Sequence, residues 1–210
     1  MIAKRLIDEH ISNNYRKPSG FFGRIAGNRM VQQHEPENNW TVTLLSVQPK
    51  DSILEIGFGA GATIQRIADL ATEGYVAGVD FSHTMVRAAR RCNASAVKAG
   101  RVELKYGDAA TLPFADSKFD KVVSIHSLYF WPDPAKAFAE IFRVLKPGGI
   151  VVLTLLPKER WPGDGEGTAD CRVYRGEDIA DMLAEVGFTS TRIEPGNIEL
   201  FRELAVIGTK

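Results

Sequence analysis

The 210-residue sequence is short of cysteine, of net charge and of long apolar runs. Its two cysteines, Cys92 and Cys171, provide neither a disulfide framework nor the paired spacing of a zinc site. Lys+Arg and Asp+Glu balance at 26 each, so no overall field of one sign recruits nucleic acid or anionic lipid. The longest apolar run, Ile150 to Leu156 with Thr154 inside it, falls far short of the roughly 20 residues a membrane helix needs. Charges at Lys4, Arg5, Asp8 and Glu9 interrupt the start where a signal peptide requires an apolar core. The four histidines (His10, His34, His83 and His126) are scattered without ligand spacing, so no metal is expected. Together these shortages describe a cytoplasmic protein with no integral membrane segment and a single core of ordinary composition.

What is present divides into two stretches, 1–48 and 49–210. The first has apolar residues at Ile2, Leu6, Ile7 and Ile11 on one helical face, stopped by Pro18 and Gly20. A looser segment runs from Phe21 to Gln33, and a short helix is expected over Trp40 to Val47, capped by Asn38 or Asn39. From Ser52 the pattern alternates. Strands are expected at Ile53–Ile56, Tyr75–Val79, Val102–Tyr106, Lys121–Ile125 and Ile150–Leu156. Helices are expected at Ala62–Ala71, Thr84–Lys98 (capped by Ser82), Ala135–Leu145 and Ile179–Val186. Strands separated by helix-length segments mean βαβ units and a mainly parallel sheet. Two closing strands, Phe188–Ile193 and Ile198–Ile207, flank the turn at Pro195-Gly196-Asn197 and must therefore run antiparallel. The fold class is α/β, Rossmann-like, with an N-terminal helical extension.

The junction of first strand and first helix reads Glu55-Ile-Gly57-Phe-Gly59-Ala-Gly61. Glycines there let the backbone turn sharply and approach a ligand, and the following helix offers unpaired N–H donors. The alternative is a plain tight turn. Read as Gly57-x-Gly59-x-x-Ala62, the loop also satisfies the dinucleotide fingerprint. Asp80, ending the second strand, can accept ribose hydroxyls in either kind of cofactor, or act as a helix N-terminal acid beside Ser82. Two features separate the readings. Glu55 suits a cofactor carrying an amino group and a sulfonium, and would repel a pyrophosphate. Asp108 in Gly107-Asp108-Ala109-Ala110 can accept from an adenine amino group, or simply form a turn.

In order along the chain stand Glu55-Ile-Gly-Phe-Gly-Ala-Gly61, Val79-Asp-Phe-Ser82, Gly107-Asp-Ala-Ala-Thr-Leu-Pro-Phe114 and Phe142-Arg-Val-Leu-Lys-Pro-Gly-Gly149. This series resembles that of class I S-adenosylmethionine methyltransferases, in the small-molecule branch that includes the ubiquinone and menaquinone C-methyltransferases. The resemblance implies a seven-stranded sheet with an antiparallel last strand, helices on both faces, and S-adenosyl-L-methionine as cofactor. It also implies that Gly57, Gly59 and Gly61 line the methionine portion while Glu55 orients it. Asp80 would hold the ribose, Phe81 and Met85 would lie beside the adenine, and Asp108 and Ala109 would meet its amino edge. Phe58 departs from the small or cysteine residue often found there and is expected to make the pocket floor bulkier.

The fourth strand ends in Ser124-Ile-His126-Ser127-Leu-Tyr129-Phe-Trp131-Pro. Ligands in open α/β sheets sit beyond the carboxyl ends of the strands, so this segment should face the transferable methyl. His126 is the acid/base candidate because its ordinary pKa of about 6.5 suits proton uptake near neutrality; the alternative is a packing residue against the cofactor. Tyr129 and Trp131 are candidates for an acceptor pocket, or for core aromatics under the next helix. Tyr15 and Phe21 belong to a candidate lid, and the loop Pro157 to Arg175 is a second candidate for acceptor recognition. No Asp-Pro-Pro-Tyr or Asn-Pro-Pro-Tyr follows the fourth strand, the arrangement similar enzymes use on nucleic acid bases. The expected partner is a small-molecule methyl acceptor, taken by a monomer or homodimer. Two other functions fit the same cofactor loop, a nicotinamide-dependent oxidoreductase and a non-catalytic S-adenosylmethionine-binding protein.

Overall fold

Neighbouring residues in the central strands bury on opposite faces, as a period of two requires. Leu54, Val122, Val151 and Leu153 join one apolar cluster, whereas Ile53, Val123 and Val152 join the other. Strands buried on both sides belong to a parallel sheet covered by helices front and back. A computed structural model describes residues 35–161, 171–197 and 200–210. In it the chain runs α1 (Glu35–Leu45), β1 (Ser52–Ile56), α2 (Ala62–Leu70), β2 (Tyr75–Asp80), α3 (His83–Cys92), α4 (Ala94–Lys98), β3 (Val102–Tyr106), β4 (Phe119–Ile125), α5 (Pro134–Val144), β5 (Leu145–Leu155), α6 (Gly176–Val186), β6 (Thr189–Pro195) and β7 (Leu204–Thr209).

The seven strands are ordered β3-β2-β1-β4-β5-β7-β6. β1 to β5 pair in parallel, and β7 is antiparallel to both β5 and β6. The expected Rossmann-like, mostly parallel sheet is therefore present. Chain direction across the sheet reverses between β1 and β4, which opens a crevice at their carboxyl ends. One face is covered by α5 and α6 through Phe138, Ile141, Ile179 and Leu183. The other is covered by α1, α2 and α3 through Leu45, Ile64, Ile67, Val86 and Ala89. No helix among the described residues is long and apolar enough to cross a membrane.

The four largest departures from the sequence expectation each have an identifiable cause. α1 spans Glu35–Leu45 among the described residues, so Asn38 and Asn39 lie inside the helix rather than capping it. The helix expected from Thr84 to Lys98 breaks at Asn93, whose side-chain Nδ2 donates to both Gly61 O and Ala89 O at 3.0 Å. β5 begins at Leu145 rather than Ile150, because Leu145 pairs with Phe119 and Gly148 N donates to Lys210 O. The last strand starts at Leu204: Leu200 and Phe201 N–H groups turn back onto Asn197 O, setting Phe201 against Trp40 of α1 at 5.2 Å. Gly187 ends α6 with φ 110°, the left-handed C′ residue expected. The helical readings over Ile2–Ile11 and Phe21–Gln33 lie outside the described residues.

Candidate active site

Three glycines after β1 all take the left-handed backbone, with φ of 77° at Gly57, 53° at Gly59 and 86° at Gly61. Their surroundings differ. A Cβ added to Gly57 would lie 2.3 Å from Ser127 Cβ, and one added to Gly61 would lie 2.7 Å from Ala89 Cβ. At Gly59 an added Cβ would meet nothing within 4 Å among the described residues. Gly57 and Gly61 thus let the loop close against its neighbours, and Gly59 faces open space.

Asp80, at the end of β2, fastens this loop. Its Oδ2 accepts from Gly59 N at 2.9 Å and its Oδ1 from Ser82 N at 2.8 Å, tying the glycine turn to the start of α3. Ser82 in turn caps α3 by accepting from Met85 N. Asp80 is buried, which pushes its pKa up to about 6 against the lowering effect of those two N–H groups. Glu55 is buried more completely, and desolvation, helped by the Asp80 charge, raises its pKa to about 8. Its Oε2 has no hydrogen-bond partner among the described residues. A buried carboxyl oxygen left open is costly unless a ligand donor meets it, and a primary amine or ammonium is such a donor.

Met85 and Ala109 are buried, Phe81 is half-buried, and Asp108 is exposed. One Asp108 oxygen accepts from Ala110 N at 2.9 Å, the turn-forming role weighed for it. The segment after it is pinned from α5: Leu112 N donates to Glu140, and Arg143 donates to Leu112 O and Phe114 O. Phe58 departs from expectation. Its ring is buried over Gly78, where an added Cβ would come within 2.5 Å of it, so the bulk goes into the core rather than onto a pocket floor.

Beyond β4, Ser127 Oγ donates to Ile56 O at 3.0 Å and lies 2.6 Å from Ser124 Oγ, locking the ends of β1 and β4 together. His126 has φ 52° and donates its backbone N–H to Thr154 O. Its Nδ1 lies 3.3 Å from the Tyr129 hydroxyl, and its Nε2 lies 3.5 Å from Glu37 and 3.8 Å from Glu203. Both ring nitrogens therefore face protein groups. Tyr129 is buried, its hydroxyl accepts from Leu156 N, and Trp161 meets its ring edge-on at 5.0 Å. Trp131 packs against Phe138 of α5, the core alternative weighed for it. Tyr15, Phe21 and residues 162–170 of the second loop lie outside the described residues.

Sequence spacing missed several contributors. Ser127 and Asn93 hold the glycine loop from β4 and α3, and no motif marks them. Glu37, His126 and Glu203 bring ligand-type atoms within 4.8 Å of one another, although histidine spacing reveals no such set. Both acids come from distant parts of the chain.

A model of the methyltransferase domain family matches residues 54–153. The chain is 36% identical over 186 residues to an uncharacterised methyltransferase, YdaC, of Bacillus subtilis, covering 88% of this chain and 96% of that one. It is 32% identical over 143 residues to a demethylmenaquinone methyltransferase of Listeria monocytogenes, covering 68% of this chain and only 60% of that enzyme. A solved structure of a SAM-dependent methyltransferase from Aquifex aeolicus superimposes with a TM-score of 0.69 at 19% identity, over 86% of this chain and 92% of that one. Phosphoethanolamine N-methyltransferase 2 of Haemonchus contortus, solved in complex with S-adenosyl-L-methionine, gives 0.68 at 18% identity over 83% and 52%. The likeness to the Bacillus protein runs along 88% of this chain and 96% of that one, and the solved structures share the fold. The chain accordingly belongs to the class I S-adenosylmethionine-dependent methyltransferases and is an enzyme of that family.

Proposed function

We propose that the protein transfers a methyl group from S-adenosyl-L-methionine to a small-molecule acceptor, with the cofactor in the crevice above β1 and β2. The single observation that carries this placement is the buried, open Oε2 of Glu55 beside three left-handed glycines, the middle one unobstructed. That pairing fits an amino-acid portion with a positive amine and disfavours a pyrophosphate. When bound, the cofactor supplies a methyl group already activated by a sulfonium.

Glu55 receives the amine, and Gly57, Gly59 and Gly61 leave room for the backbone to approach. Asp80 keeps lone pairs beyond its two backbone bonds and accepts from ribose hydroxyls. Phe81 and Met85 flank the adenine, with Ala109 and the second oxygen of Asp108 at its amino edge. Phe58 contributes through its backbone. His126 and Tyr129 stand at the acceptor end, where a ring engaged at both nitrogens supports positioning over free proton uptake. Alignment and exclusion of water then supply much of the rate, because the donor needs no further activation. Trp131 supports the acceptor side from the core.

Calorimetric titration with S-adenosylmethionine and S-adenosylhomocysteine tests the placement. Asp80→Ala should weaken both by about 1.5–3 kcal/mol, the usual range for a charged acceptor. Thermal stabilisation by NADH and not by S-adenosylhomocysteine would reverse the choice of cofactor.

A further inference from the structure

The acceptor end holds a group of side chains that methyl transfer by alignment does not require. Glu37 comes from the first turn of α1, His126 from the residue after β4, and Glu203 from the residue before β7. Both glutamates are buried, at 3% and 8% exposure, and both present a carboxylate oxygen to His126 Nε2. Three elements distant in sequence thus converge one nitrogen and two oxygens within 4.8 Å.

We infer that Glu37, His126 and Glu203 form a site for one divalent cation of the zinc or manganese type. The donor spacing fits. Bonds of about 2.0–2.2 Å to nitrogen and oxygen put neighbouring ligand atoms of a tetrahedral ion about 3.3–3.5 Å apart. The observed separations of 3.5 and 3.8 Å reach that range with a shift of a few tenths of an ångström. A mixed imidazole and carboxylate set suits zinc, iron and manganese better than the all-oxygen preference of calcium or magnesium.

A second feature points the same way. The Tyr129 hydroxyl lies 3.3 Å from Nδ1, and the Leu156 backbone N–H holds that hydroxyl in place. Metal-binding histidines are oriented in this manner, through the ring nitrogen that does not touch the ion. α1 is fixed as well, since Thr41 Oγ1, one turn after Glu37, meets Thr154 Oγ1 of β5 at 2.7 Å. Three protein donors leave further coordination positions for water or for an oxygen atom of the acceptor. That last point rests on the methyl-transfer reading; the ion site itself does not.

The test uses the full chain without a histidine tag, stripped with a chelator and dialysed. Zinc, manganese and magnesium chlorides are titrated separately by calorimetry and by thermal melting. The expected result is one zinc or manganese ion per chain with a raised melting temperature, and magnesium much weaker. Glu203→Gln and Glu37→Gln, each checked for folding by circular dichroism, should each lower the affinity more than about tenfold, within the range that altered metal environments produce. A cobalt-loaded sample should show visible absorption that Glu203→Gln alters. No stoichiometric binding by any of the ions would overturn the site, as would unchanged affinity in the folded variants. S-adenosylhomocysteine is titrated into the same stripped sample. Cofactor binding without metal binding refutes the ion site alone, and metal binding without cofactor binding refutes the methyl-transfer reading alone.

Discussion

The two ends of the crevice are built in opposite ways. The proposed donor end is nearly continuous in sequence: Glu55 and the three glycines lie within seven residues, with Asp80 one strand later. The proposed acceptor end takes Glu37 from α1, His126 from the residue after β4 and Glu203 from the residue before β7. A cofactor shared across a family can be held by one local backbone shape. An acceptor, which differs from enzyme to enzyme, is met by side chains that only the sheet topology brings together.

The largest expected effect separates core from acceptor pocket. Trp131 lies against Phe138 in the cluster under α5, so Trp131→Ala should cost about 3–5 kcal/mol in urea unfolding, with cofactor affinity of the folded protein unchanged. A stable variant would move Trp131 out of the core and into the acceptor pocket.

Within the donor end, the glycines should not behave alike. Gly57→Ala meets Ser127 as well as the left-handed penalty and should lose about 2–5 kcal/mol of stability. Gly59→Ala meets only the backbone penalty and should lose about 1–2 kcal/mol. Equal losses in denaturant titrations would show that the loop is not clamped by Ser127.

A smaller effect, spread over pH, sharpens the role of Glu55. Burial raises its pKa to about 8, so the folded apoprotein prefers the neutral acid. That stabilisation is complete below the ordinary value of 4.5 and is lost as pH rises through about 8, with a slope of up to about 1.4 kcal/mol per pH unit. Binding of a positive amine prefers the ionised form. Cofactor affinity should therefore strengthen between pH 6 and 8 by up to about tenfold per unit. Glu55→Gln should flatten both trends in calorimetry and in urea melts. A slope that survives the substitution would assign it to another group.

Much of the fold was readable because each strand obeys a local rule. The expected strand at 102–106 matches the observed one, and the other parallel strands differ mainly at their ends, since alternating burial on two covered faces leaves a clear period in the sequence. The misreadings fall where a remote partner overrides the local pattern. Asn93 breaks a helix whose apolar spacing continues, because its amide is used on Gly61 O. Phe201 turns away from a strand-like run to reach Trp40. Phe58 stands in the glycine loop, yet Gly78 opens a core slot beneath its ring.

By itself the sequence determined the alternating α/β order, the glycine turn after β1 and the acids Glu55 and Asp80 beside it. Those depend on periodicity and on backbone conformations that glycine adopts within a few residues. Only the tertiary structure decided which glycine faces open space, which aromatic is core, and that two buried glutamates meet His126. Such outcomes depend on distances between residues as far apart as 37 and 203, which no local pattern encodes.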